Sequence, residues 1–385
     1  MDETLQRSAV TPDAGHAGER TARERRPAWW RVPLLVFGFV ALFVGVGAGL
    51  ARLGWPLPEV AAGAAALHGP LMVCGFFGVV IALERAVAIG RAWAYAGPLL
   101  AGLGTAAVMH GAAPAAPWLY LAGSVVLLVA SLDVLRRQRE LFMLVIAVAA
   151  GCWSVGTALW AAGAAVHQVV GWWLGFLVLT IAGERLELTR FMPPSRGAER
   201  LFAALVAVVL VALLLWSQPW APRLFGVALF ALAAWLLRHD IARRTVRQHG
   251  LTRFIAVCLL SGYFWLAAGG AVIAAAGLEP GSAAYDAALH ALLLGFVFAM
   301  VFGHAPIIFP AVLRVAVPYH PRFYVPLLLL HASLALRLLG DASGQFEWQR
   351  WGALMSALAL LGFVASTAAA VVQTRRALAR RGAAR

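Results

Sequence analysis

Twelve apolar runs, each close to the twenty or so residues that cross a bilayer, leave this chain few folds to choose from. They lie near 32–51, 60–83, 93–112, 116–135, 141–163, 165–183, 201–217, 222–238, 254–277, 284–303, 321–339 and 351–374. Inside hydrocarbon a backbone must satisfy its own hydrogen bonds, so runs of this kind form α-helices. The connections are too short for a soluble domain, so the helices pack on one another as one bundle. Composition agrees, with 62% hydrophobic and 12% charged residues, well outside the soluble range. The fold class is therefore all-α: a polytopic membrane bundle of twelve transmembrane helices over 29–375. Residues 1–28 are polar, charged and without an apolar stretch, which predicts a disordered cytoplasmic tail and no cleaved signal peptide. Residues 376–385 predict a basic cytoplasmic tail.

A net charge of +14 raises nucleic acid as a partner, but the placement of the arginines argues against it. They sit at the ends of the apolar runs and in the tails, where they orient a protein in its membrane. With the N-terminus inside, all but four of the 31 cationic residues (Arg52, Arg223, Arg337 and Arg350) fall on the inner side. That asymmetry supports the count of twelve and predicts a bacterial inner membrane with both termini cytoplasmic. The partner it implies is the lipid bilayer. Cys74, Cys152 and Cys258 each fall inside a span and share no CxxC spacing, so they read as small buried apolar side chains.

Helices two, six and ten align on a Gly-Phe pair. Helix two reads His68, Gly75-Phe76, Glu84-Arg85; helix six reads His167, Gly175-Phe176, Glu184-Arg185; helix ten reads His290, Gly295-Phe296, His304. These helices are four apart, which suggests three four-helix repeats about a pseudo-threefold axis.

An ionisable group in hydrocarbon costs free energy unless it is partnered, so an intramembrane histidine is a functional hypothesis by default. At a rise of about 1.5 Å per residue, His68 lies roughly 12 Å below the outer boundary and His290 about 9 Å. His167 falls near the outer surface, His331 near mid-membrane, and His110 in the same outer half. Two imidazoles at one depth on neighbouring helices can clamp a planar macrocycle from its two faces. The bland alternative for each is an interhelical hydrogen bond. His304 lies about 21 Å along helix ten from His290, too far to share one metal. The Ala305-Pro306 and Phe309-Pro310 pairs after it predict that the helix ends there. Glu84-Arg85 and Glu184-Arg185 predict ion pairs and snorkelling arginines at the inner surface. Glu84, Glu184 and His304 are also candidates for proton uptake or interface contacts, as is Asp133 on helix four.

Twelve spans with a histidine on helices two and ten, a third on helix six and a threefold arrangement resemble subunit I of the haem-copper oxidases. That resemblance implies a low-spin haem in the outer half, held by His68 and His290. The chain departs from that family where oxygen chemistry needs ligands. Val297 and its neighbours offer no second histidine on helix ten, and Ala203 to Trp216 contain none on helix seven. The segments Leu67 to Gly78 and His290 to Pro310 are more similar to the NnrS family, twelve-span bacterial membrane proteins containing haem and copper and linked to nitric oxide and nitrosative-stress metabolism.

The resemblance implies a haem b-binding redox protein with His68 and His290 as axial ligands. His167 and His331 would be candidates for a second metal such as copper, or a second haem. Its partners would be an electron donor, quinol or cytochrome, and nitric oxide as ligand. Arg52 or an aromatic N–H such as that of Trp172 is expected where the acidic haem side chains lie. The rivals are a secondary transporter, which calls for broken helices and a midplane acid, and a non-catalytic assembly or sensor subunit.

Overall fold

A computed structural model describes residues 28–189, 194–315 and 317–383. Twelve helices are long and apolar enough to cross a membrane. They are α1 (Trp29–Arg52), α2 (Ala65–Ile89), α3 (Ala92–Met109), α4 (Ala113–Arg137), α5 (Leu141–Ala161), α6 (Val166–Leu188), α7 (Arg196–Leu214), α8 (Ala221–His239), α9 (Gly250–Ala276), α10 (Ala283–Leu313), α11 (Pro321–Ser343) and α12 (Phe346–Gln373). Among the described residues there is no strand, and the protein is an all-α polytopic bundle. The tail expected over 1–28 lies outside the described residues except for Ala28. Helical backbone continues beyond α12 to Ala383, into the expected basic tail.

The largest departure from the expected boundaries is in α10, which was expected to end after His304. It continues through Pro306 and Pro310 to Leu313, and stops where Arg314 takes a left-handed φ of 55°. Each proline removes one intrahelical donor, but ending the helix inside the bundle would orphan several backbone groups at once. Packing also holds the segment. Phe302 stacks on Phe363 of α12 with centroids 3.9 Å apart, and Gly303 lies against Cys258 of α9.

The Gly-Phe helices occupy equivalent packing positions. A Cβ on Gly75 would strike Ala41 of α1 and Thr105 of α3, at 2.8 and 2.9 Å. One on Gly175 would strike Leu213 of α7 at 2.8 Å and touch Cys152 of α5 at 3.6 Å. One on Gly295 would strike Trp265 of α9 and Leu334 of α11. In each case the glycine lets its helix fit between the preceding and the following helix, as small residues do in membranes. Phe76, Phe176 and Phe296 are buried beside them. Helix α6 is the most enclosed of the twelve.

Near the inner ends, a buried polar network ties four elements together. The Arg185 guanidinium on α6 pairs with Asp240, just beyond α8, at 3.0 Å. It also donates to His304 Nε2 on α10 at 3.1 Å. Tyr263 on α9 donates to Asp240 at 2.6 Å, and the Ala242 N–H at 2.7 Å. This corrects the snorkelling expected of Arg185, whose side chain is 3% exposed. It turns inward because Asp240 balances its charge there and His304 accepts one of its N–H groups. Removing one member of a buried pair leaves the other charge uncompensated, so Asp240→Ala should cost about 3–5 kcal/mol. Unfolding in mixed micelles would read this as a marked loss, with Arg137→Ala, whose pair with Asp133 is exposed, nearly neutral.

Candidate functional site

The N-terminal halves of α2 and α10 share an irregularity. In α2, His68–Pro70 is α-helical and Leu71–Phe77 is a π-helix; in α10, Ala283–His290 is α-helical and Ala291–Phe298 is a π-helix. The wider turn starts within a few residues of the histidine in both, and π segments of this kind concentrate at functional sites. On a regular α-helix at about 100° per residue, His68 and Phe77 would point about 180° apart. With the π segment between them, both line one cavity.

The His68 ring on α2 and the His290 ring on α10 stand with centroids 6.4 Å apart and planes 15° from parallel. The separation exceeds that of rings stacked in contact. It matches two imidazoles bound to one metal, whose centroids would stand about 6.2–6.4 Å apart, given bonds of about 2.0 Å and about 1.1 Å from nitrogen to ring centre. His68 Nδ1 lies 2.7 Å from the Gly45 carbonyl, and His290 Nδ1 2.8 Å from that of Asp286. A carbonyl only accepts, so both rings carry hydrogen on Nδ1 and keep the Nε2 lone pair, the tautomer of a metal-binding histidine held by an outer partner. Gly49 leaves room for this pose, since a Cβ there would lie 2.8 Å from both Cε1 and Nδ1 of His68.

Behind His290, Asp286 is fixed by Arg337 of α11. Arg337 Nε and Nη2 donate to the two carboxylate oxygens at 2.9 and 3.0 Å, and Gln349 of α12 adds a donor at 3.4 Å. The carboxylate also stands 3.4 Å from His290 Nδ1.

The two histidines open into a cavity of about 760 Å³, within the range of small-molecule and cofactor sites. Its floor is apolar, with Phe77 and Phe298 lining it 5.1 Å apart and Phe76 stacked on Phe298 at 5.7 Å. Its rim holds Tyr285, Arg52, Asp341 and the Arg337–Asp286 pair. Trp173, rather than the expected Trp172, lines the wall, and its N–H donates to Thr157. An apolar slot with two imidazoles, and with Arg52 at its rim to meet one acidic side chain, fits a planar tetrapyrrole.

The other candidate histidines are placed differently. His167 is exposed and lines the same cavity. His331 is outside it, receiving the Trp265 indole N–H on Nδ1 at 3.0 Å and contacting Ser261 Oγ through Nε2 at 2.9 Å, so it brackets α9 to α11 with both nitrogens engaged. His304 likewise uses both, with Nδ1 donating to the Met300 carbonyl at 2.7 Å and Nε2 facing Arg185. His110 is exposed at the end of α3. Glu84 and Glu184 are partly buried at the inner ends and within electrostatic reach of each other. Asp133 pairs with Arg137 and Arg91. Among the described residues, no group of three or more His, Cys, Asp or Glu side chains could hold a metal ion. The three cysteines are buried thiols.

Two acids that were not among the expected site residues also line the cavity: Asp286, near the start of α10, and Asp341, near the end of α11. The Asp286-to-His290 spacing, one helical turn, is a signal that could have found the first.

Fold and site together define a polytopic membrane protein with a two-histidine pocket between the N-terminal halves of α2 and α10. Residues 31–372 match the model of a family described as a domain of unknown function, DUF8744, and the chain belongs to that family. No curated protein and no solved structure gave a match.

Proposed function

We propose that the protein is a haem b-binding electron-transfer protein of the bacterial inner membrane, with His68 and His290 as the two axial ligands. The observation that carries this is the opposed ring pair at 6.4 Å, each ring presenting Nε2 and anchored through Nδ1 to a carbonyl. When bound, the haem supplies a one-electron redox couple. The chain's own residues supply orientation: Gly45 and Asp286 hold the rings, Gly49 clears space, and Phe77 and Phe298 keep water from the floor.

With His68 and His290 both holding the haem, electron transfer would be the primary activity and nitric oxide would have to displace a histidine to bind. The resemblance to NnrS supports a use in nitric oxide, nitrosative-stress or denitrification metabolism. Copper forms no part of the proposal, because His331 has both nitrogens engaged and His167 lines the haem cavity itself. The direct test is the dithionite-reduced minus oxidised absorbance spectrum of the purified protein. A b-type α-band supports the reading; haem-supplemented, folded protein with no Soret band would sink it.

Among the described residues, Arg52 has no carboxylate partner, whereas Arg337 is neutralised by Asp286. Arg52 is therefore the rim cation free to meet a haem carboxylate. Wild-type protein should bind haem in preference to its uncharged dimethyl ester. Arg52→Ala should reduce that preference by about two- to fivefold, the worth of one exposed ion pair. Competitive titration of the Soret band measures it, and an unchanged ratio would remove Arg52 from the site.

A further inference from the structure

The seam between α1 and α12 is closed at the water surface and open within the membrane. At its outer end, Trp55 and Trp351 meet edge to face at 5.1 Å. Arg350 lies 4.2 Å over the Trp55 ring, and the Trp55 indole donates to the Arg350 carbonyl at 3.4 Å. Beneath this clasp is a second cavity of about 260 Å³, lined only by apolar residues, among them Leu42, Phe43, Leu354 and Leu358. At about 1.5 Å per residue, its α1 wall from Leu50 to Leu42 runs roughly 3–15 Å below Arg52, in the outer half of the hydrocarbon. Phe43, Leu358 and Leu361 are about half exposed on the lipid side. Val46, Leu50, Ala357 and Leu360 line both this slot and the histidine cavity, so the two spaces share a wall.

We propose that this slot holds the tail of an isoprenoid quinol, and that the quinol delivers electrons to the histidine cavity. The proposal rests on the redox reading of that cavity. At this seam a donor dissolved in the bilayer meets an apolar slot beside the site, below the clasp. The polar side of the shared space selects a quinol over an acyl chain. Asp341 lines the cavity, and its buried Oδ2 has no hydrogen-bond partner among the described residues. A quinol hydroxyl offers that oxygen a donor; an acyl chain offers nothing. On oxidation the quinol loses two electrons and two protons and becomes a quinone. Each site accepts one electron, so two protein molecules are reduced per quinol, and the protons leave by the outer mouth of the cavity.

The test uses the full chain in nanodiscs. Oxidised, haem-loaded protein is mixed with decylubiquinol or with the same head group lacking its tail, and the reduced α-band is followed. Reduction should need half an equivalent of decylubiquinol per site. Leu358→Trp, which fills the slot from its lipid side, should raise the half-saturating decylubiquinol concentration by about tenfold, the loss of roughly two methylenes of apolar contact. Its spectrum and its reduction by dithionite should stay as in wild type. Equal efficiency of tailed and tail-less quinols, or no effect of Leu358→Trp, would overturn the proposal. A second readout needs no haem: a photoreactive decylquinone should label α1 and α12 in loaded and haem-free protein alike. Labelling elsewhere, or competition by phospholipid as effective as by quinone, would overturn the tail site. Labelling of α1 and α12 in a protein that never shows an α-band would instead sink the redox reading and leave the slot assignment standing.

Discussion

His68→Ala and His290→Ala should each abolish the reduced α-band, lowering haem affinity by at least about 100-fold, the upper end of what loss of even an outer partner costs. Both effects follow from a site in which each ring supplies one of two opposed bonds. The paired controls are His331→Ala and His304→Ala. Their rings have both nitrogens engaged in contacts between helices or within one helix, so they should lose stability and keep the band. Haem content per folded protein, measured by pyridine haemochrome, separates the two pairs. A band that survives both His68→Ala and His290→Ala would place the haem elsewhere or nowhere.

Gly49→Ala should empty the site while leaving both histidines in the chain. The added Cβ falls 2.8 Å from Cε1 and Nδ1 of His68, closer than carbon and ring atoms tolerate. The ring must swing away from the Gly45 carbonyl, and its Nε2 moves with it. Overpacking of this kind costs about 1–3 kcal/mol, and haem occupancy should fall by roughly tenfold, as for loss of an outer ligand partner. Gly69→Ala is the matched control. It adds the same methyl beside His68, but its nearest neighbour is Val166 at 3.7 Å, so occupancy should be unchanged. Equal occupancy in Gly49→Ala and Gly69→Ala would mean that the His68 pose is not the binding pose.

Much of this arrangement is legible in the sequence because the bilayer supplies a ruler. Span length and the arginine asymmetry define twelve helices, and helix rise converts His68 and His290 into residues at one depth. The Gly-Phe recurrence marks α2, α6 and α10, and the glycines of that recurrence prove to be the points where each helix enters between its neighbours. What is not legible depends on partners distant in the chain. Nothing local in Leu71–Phe77 announces hydrogen bonds that skip a residue. Gly45, Gly47 and Gly49 look alike until a ring is set against one of them. Arg185 reads as a snorkelling end residue until Asp240 folds beside it. The prolines of α10 read as a terminus until α9 and α12 are packed around them.

Low-temperature electron paramagnetic resonance of the oxidised, haem-loaded protein tests the central claim most directly, because it reports both ligands and their relative orientation. Two imidazoles with planes 15° from parallel would split the iron's two π-type d orbitals, so the expected result is a rhombic low-spin signal that disappears in either His68→Ala or His290→Ala. A high-spin signal from the wild-type protein, or a low-spin signal indifferent to those substitutions, would contradict it.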